Sequence, residues 1–170
     1  NADLVSYYKG LIELRKSFTP FNANIRDVST DDNPQDDSYA YHFATSFSSA
    51  NQMIAFTIDN DNEGEWNKVA VVFNGQKTAK TFKFSTSVDS TISEDTEWVV
   101  IANDKQAGIT KLSEFKGLTF SVPASSAVIA VEKSTFEEAN LPSRFSKVIV
   151  NNIDEEINNL FIEISKLYEK

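Results

Sequence analysis

From Tyr41 to Glu132 the large apolar residues recur at every second position, a period that belongs to pleated strands and not to helices. Ile54, Phe56 and Ile58 share one face of a predicted strand, as do Val69, Val71 and Phe73. Phe82 with Phe84, Trp98 with Val100, Leu118 with Phe120 and Val122, and Ile129 with Val131 repeat the pattern. Short strands separated by Asn-Asp, Asn-Gly and Ser-rich turns predict a sandwich or barrel rather than an α/β sheet. The fold class expected is mainly β: an antiparallel β-sandwich of seven or eight strands, with an N-terminal and a C-terminal helix. Val69–Phe73 and Trp98–Ile101 are nearly continuous apolar runs and are expected at the centre. Asn74-Gly75 is the clearest turn signal, because Gly75 tolerates φ > 0.

The ends of the chain have a helical period instead. In the first helix Leu4, Tyr8, Leu11 and Ile12 form the predicted apolar face, with Tyr7 and Leu14 at its margins. Asp3 is suited to capping its start, and Arg15 and Lys16 to its C-terminal end. Gly10, in mid-helix, costs roughly 1 kcal/mol against Ala and so points to a close contact there. At the other end Asn152 and Glu155 open a second helix whose stripe runs Ile153, Ile157, Leu160, Phe161, Ile164, Leu167 and Tyr168. A stripe of this kind needs a cover. A homodimer is the expected outcome if apolar surface on the first helix also stays exposed.

Composition narrows the function classes. Cysteine is absent, which removes thiol catalysis, zinc–thiolate sites and disulfides. The formal net charge of −9 disfavours phosphate backbones and anionic lipid, so neither nucleic acid nor a membrane surface is an expected partner. No apolar run approaches the ~20 residues of a membrane-spanning helix. Asn1-Ala2 reads as a cleavage remnant.

Several blocks together carry a resemblance. Val5–Lys16 reads VSYYKGLIELRK; Phe18, Pro20 and Phe21 follow; Trp66–Asn74 reads WNKVAVVFN and Glu97–Asn103 reads EWVVIAN; Ala107, Gly108 and Leu112 form an AGxxxL turn; Val122–Val131 reads VPASSAVIAV. In this order the blocks resemble the C-terminal region of a pullulanase-type (type I) glycoside hydrolase of the α-amylase superfamily, over roughly residues 3–133. The resemblance implies that 3–18 is the terminal helix of a catalytic barrel, 19–133 a C-terminal β-sandwich, and 134–170 an extension ending in an amphipathic helix. It also implies that Gly10 contacts the barrel. The Asp-rich segment Arg26–Ser38 and the residues from Ser134 onward have no counterpart in the pattern.

On this reading the fragment is not an enzyme and the parent is a debranching glycoside hydrolase. The chain would be its non-catalytic accessory domain, packing on and stabilising its own catalytic barrel. The alternatives are an α-glucan-binding module and a partner-binding or dimerising element built on the C-terminal helix. The parent is expected outside the cell or at its surface, with the cytoplasm as the alternative.

No catalytic residue is assigned, since no carboxylate pair lies in a recognisable glycosidase motif. No cofactor or metal is assigned either. Asp59–Gly64 opens like a calcium loop, but its twelfth position is Ala70, and an acidic hairpin turn is the preferred reading. His42 is the single histidine and is taken as a strand residue. Trp66, Tyr39 and Tyr41 are the candidate carbohydrate-binding residues, because exposed aromatic faces stack on sugar rings. Trp98 lies in an apolar run and is expected in the core.

Overall fold

In the computed structural model, which describes residues 2–21, 39–45 and 52–139, the chain divides into two units, Asn1–Asn140 and Leu141–Lys170. Every described element lies in the first unit. The predicted helix at Ile153–Tyr168, the Asp-rich segment and the side chain of Tyr39 lie outside the described residues.

Helix α1 (Ala2–Ser17) leads through a 3-10 turn (Thr19–Phe21) to eight strands: β1 (Tyr39–Thr45), β2 (Met53–Asn60), β3 (Lys68–Asn74), β4 (Lys80–Lys83), β5 (Glu97–Ala102), β6 (Ser113–Lys116), β7 (Thr119–Val122) and β8 (Ser126–Glu132). A short helix, α2 (Lys133–Glu138), follows directly. Six strands form one sheet in the order β1-β2-β3-β8-β5-β6, and β4 pairs with β7 in a second. Every pairing is antiparallel. The expectation of a mainly β fold with seven or eight strands holds, with eight among the described residues.

The core lies between the two sheets. Met53, Ala55, Ala70, Val72, Val128, Ala130, Trp98 and Val100 line the large sheet, and Phe84, Leu118, Phe120 and Val122 close on them from the small one. Phe120 is the hub, with edge-on rings from Phe84 at 5.1 Å, Trp98 at 5.4 Å and Phe115 at 4.8 Å. Trp98 is fully buried as expected, and its indole N–H donates to the Gly117 carbonyl at 3.0 Å. Gly117 holds φ +102° in the two-residue link by which the chain passes from β6 in the large sheet to β7 in the small one, a left-handed conformation that glycine adopts without steric cost. In β3, Val69 through Val72 are all buried, because the face turned away from the small sheet is covered too.

Asn74-Gly75 ends β3, and Gly75 does not adopt positive φ; the chain crosses here from the large sheet towards β4 in the small one. The crossing is held by the Asn74 side chain, whose amide donates to the carbonyls of Thr78 (2.9 Å) and Pro123 (2.9 Å), while its oxygen accepts from the Gln76 amide (3.0 Å). The Asn satisfies backbone groups that a sheet-to-sheet crossing leaves without ladder partners.

Candidate functional site

Helix α1 and the sandwich meet at a glycine. A Cβ at Gly10 would stand 1.7 Å from the Ala107 carbonyl oxygen, so only hydrogen lets the helix lie this close to the β5–β6 loop. The close contact that Gly10 signalled is therefore with the sandwich's own Ala107-Gly108 turn, and the expectation of a barrel contact at this residue is corrected. One turn earlier the Tyr7 hydroxyl donates to the Asn103 carbonyl at 3.0 Å. Gly10, Leu14 and Ser17 are the buried residues of the helix, and Phe18 follows them into the interior.

The chain leaves α1 through an aromatic junction. The Phe18 ring lies 4.9 Å from Phe21 and 5.7 Å from Trp66, and Trp66 stacks on Phe136 of α2 at 6.2 Å, with 16° between the ring planes. Glu65 ties the 3-10 turn to the sheet by accepting from the Thr19 amide (3.0 Å), the Thr19 hydroxyl and Asn60 Nδ2 (3.1 Å). Tyr41 donates its hydroxyl to the Pro20 carbonyl at 2.8 Å. Trp66, read from sequence as a sugar-stacking candidate, is 1% exposed, and no open indole face remains for a sugar ring. Its position just before a strand looked peripheral because the helices that cover it come from distant parts of the chain. Tyr41 is half-buried, and beside it Phe43, which no sequence pattern singled out, is 59% exposed. The two rings lie 6.3 Å apart and nearly parallel.

The opposite side of α1 is apolar and open. Leu4, Val5, Tyr8 and Ile12 are 52 to 58% exposed; Leu4, Tyr8 and Ile12 repeat at intervals of four and form one ridge. The predicted apolar face is thus largely the outer one, while Leu14, placed at its margin, faces inward. A helix with apolar residues on two sides gives its period no means of choosing between them.

At the hairpin end of the sheet, β-strand alternation places His42, Thr57, Asp59 and Lys68 on the core-side face, and Asp89 closes over them from the β4–β5 connection. Lys68 Nζ bridges Asp59 and Asp89, the latter at 2.8 Å. His42 Nε2 lies 2.8 Å from Asp59 Oδ2. Asp89 also accepts from the Thr57 hydroxyl (2.6 Å) and from the amide and hydroxyl of Thr91. Burial alone would push the Asp89 carboxyl up, but the bonds from Lys68, Thr57 and Thr91 outweigh it and hold the group well below the usual carboxylate range. A depressed native value stabilises the fold above the ordinary aspartate value of 3.8. While Lys68 is an ammonium that gain is lost as pH falls below it.

His42, Asp59 and Asp89 have the spacing to share a metal ion, but Lys68 already supplies the cation among them. The Asp59–Gly64 stretch forms the β2–β3 hairpin turn, with Gly64 at φ +79°. Two of its oxygen-bearing side chains are already engaged: Asp59 meets His42 and Lys68 on the neighbouring strands, and Asn60 Oδ1 accepts from the Asn62 side chain at 2.7 Å.

The fold and junction define a two-sheet antiparallel sandwich seated on an entering helix. Residues 42–106 match the family model described as the pullulanase all-beta domain. Among solved structures, the catalytic module of the multi-modular glycogen-degrading pneumococcal virulence factor SpuA is similar over 79% of this chain and 18% of its own, at 21% identity and a TM-score of 0.53. The group B Streptococcus pullulanase SAP is similar over 74% of this chain and 16% of its own, at 18% identity and a TM-score of 0.50. A pullulanase from Bacillus acidopullulyticus matches over 54% of this chain and 10% of its own, at 22% identity and a TM-score of 0.42. The chain thus spans under a fifth of each of these structures. No curated protein sequence matches it.

Proposed function

We propose that this chain is a non-catalytic accessory domain of a pullulanase-like α-1,6-glucan hydrolase, and that it docks on the enzyme's catalytic part through the outer face of α1. The observation that carries this reading is the ridge of Leu4, Val5, Tyr8 and Ile12, left in water on the helix that opens the chain. The occupant fits the size relation: a pullulanase-type β-domain accompanied in similar structures by a far larger remainder of chain. Each ridge residue is already about half covered, so burying the rest contributes on the order of 1 kcal/mol apiece. Together they are enough to matter for an interface and too few to hold it alone.

The test is Tyr8→Asp with Ile12→Asp, made both in the chain and in the parent enzyme. In the chain the pair sits in solvent, and the urea midpoint should move by no more than about 0.5 kcal/mol per site. In the parent the same charges would be buried without partners and should lower the melting temperature by several degrees. A parent enzyme that melts unchanged shows that the ridge faces water there as well. The chain alone should release no reducing sugar from pullulan above a buffer blank. The α-glucan-binding alternative requires another aromatic platform, because Trp66 is inside the fold.

A further inference from the structure

We propose that Asn74-Gly75 is a deamidation site that folding guards, and that loss of the Asn74 amide closes the route back to the folded chain. In an unfolded Asn-Gly sequence the asparagine side chain readily cyclises onto the next residue's nitrogen, because glycine puts no side chain in the way and turns freely. The Gly75 nitrogen gives up its proton and attacks Asn74 Cγ; the C–N bond forms, the bond from Cγ to Nδ2 breaks, and Nδ2 departs with that proton as ammonia. Water then opens the resulting succinimide at either carbonyl and leaves aspartate or isoaspartate at position 74.

The folded chain holds both reacting nitrogens away from this chemistry. The Gly75 amide donates its hydrogen to the Gln52 carbonyl at 2.8 Å, which fixes the nucleophile toward the start of β2. Asn74 Nδ2 donates to the carbonyls of Thr78 (2.9 Å), Val122 (3.3 Å) and Pro123 (2.9 Å). Each of these partners of the leaving nitrogen is an acceptor, and none can hand it a proton. Asn74 is 2% exposed, which keeps water from supplying one. The Gln76 amide, donating to Oδ1 at 3.0 Å, favours attack by polarising the carbonyl, but it does not bring the Gly75 nitrogen to the carbon.

The product does not fit the site it came from. An aspartate at position 74 has no hydrogen to offer, and its carboxylate would face the same three carbonyl oxygens where water is excluded. An isoaspartate lengthens the main chain at the end of β3, where Asn74 is paired with Met53 of β2 on one side and Ser126 of β8 on the other. Protection and damage therefore concern the same hydrogen bonds. The fold guards the amide, and without the amide the crossing from β3 to the small sheet is not held. A chain that stays unfolded is diverted from refolding by covalent change.

The inference is independent of the enzyme reading and is tested on the chain itself, incubated at neutral pH either folded in buffer or unfolded in guanidinium chloride. The tryptic peptide Val69–Lys77, VAVVFNGQK, is followed by mass and chromatography. In guanidinium it should gain the mass difference between an amide and an acid and split into aspartate and isoaspartate forms. In the folded chain the same change should be at least about tenfold slower, since it needs local opening. Chain held unfolded and then diluted should lose refolding yield in step with the peptide's conversion. Gly75→Ala, whose Cβ would stand 3.1 Å from the Gln52 oxygen, should deamidate more slowly in guanidinium, a rate that needs no folded state. Its refolding yield, read against its own fresh sample, should then be kept, which separates amide loss from other damage. Equal conversion rates in the folded and unfolded chain overturn the guard. A fully converted chain, or Asn74→Asp, that refolds with an unchanged denaturation midpoint overturns the rest.

Discussion

Trp66→Ala is expected to cost about 3–5 kcal/mol, the range for emptying a large aromatic site in a packed interior. The indole is 1% exposed and stands between Phe18, from the end of α1, and Phe136, from α2, so its loss opens a cavity at a point where both helices meet the sheet. Neither ring can follow it inward, since Phe18 is held by the turn that Glu65 and Tyr41 tie down. A urea denaturation curve on the chain measures the effect. Were Trp66 a surface platform for sugar, the same substitution would leave the midpoint within about 0.5 kcal/mol and abolish maltooligosaccharide binding instead. A stability loss under about 1 kcal/mol therefore contradicts the aromatic junction of Phe18, Trp66 and Phe136.

Gly10→Val should have the second largest effect. On helix propensity alone, replacing a mid-helix glycine is favourable or neutral, by up to about 1 kcal/mol for Ala and less for a β-branched residue. The contact decides otherwise. The new Cβ would stand 1.7 Å from the Ala107 oxygen and 2.5 Å from its carbonyl carbon, so α1 must lift from the loop and Tyr7 must loosen its bond to Asn103. Overpacking against backbone is expected to cost about 3 kcal/mol, at the upper end of the usual range because no flexible side chain can yield. Shortening residue 107 to Gly cannot rescue it, since the obstacle is main chain. A Gly10→Val chain as stable as the original would mean that α1 does not sit on this turn.

The sheet was legible in the sequence because a two-residue period is a local property: Ile54, Phe56 and Ile58, or Leu118, Phe120 and Val122, show their alternation wherever the strand is placed. The same holds for Trp98, whose apolar neighbours leave a strand little choice but the interior. The site was less legible. His42, Asp59, Lys68 and Asp89 are scattered along the chain, and read singly each is an ordinary polar residue of a strand or loop. Only the pairing of β1 with β2 and of β2 with β3, together with the return of the β4–β5 connection, brings them to one point.

The sequence by itself determined that the chain forms short antiparallel strands behind an opening helix, and that Gly10 marks a close approach. Both follow from periodicity and from the backbone freedom of one residue, which are set by near neighbours. Which side of α1 is buried, whether Trp66 faces sugar or core, and how Asn74 holds the crossing from β3 to the small sheet were decided by the tertiary structure alone. Each depends on contacts between segments far apart in the chain, Gly10 with Ala107, Phe18 and Phe136 with Trp66, Asn74 with Pro123, and no local pattern records which distant surface a side chain will meet.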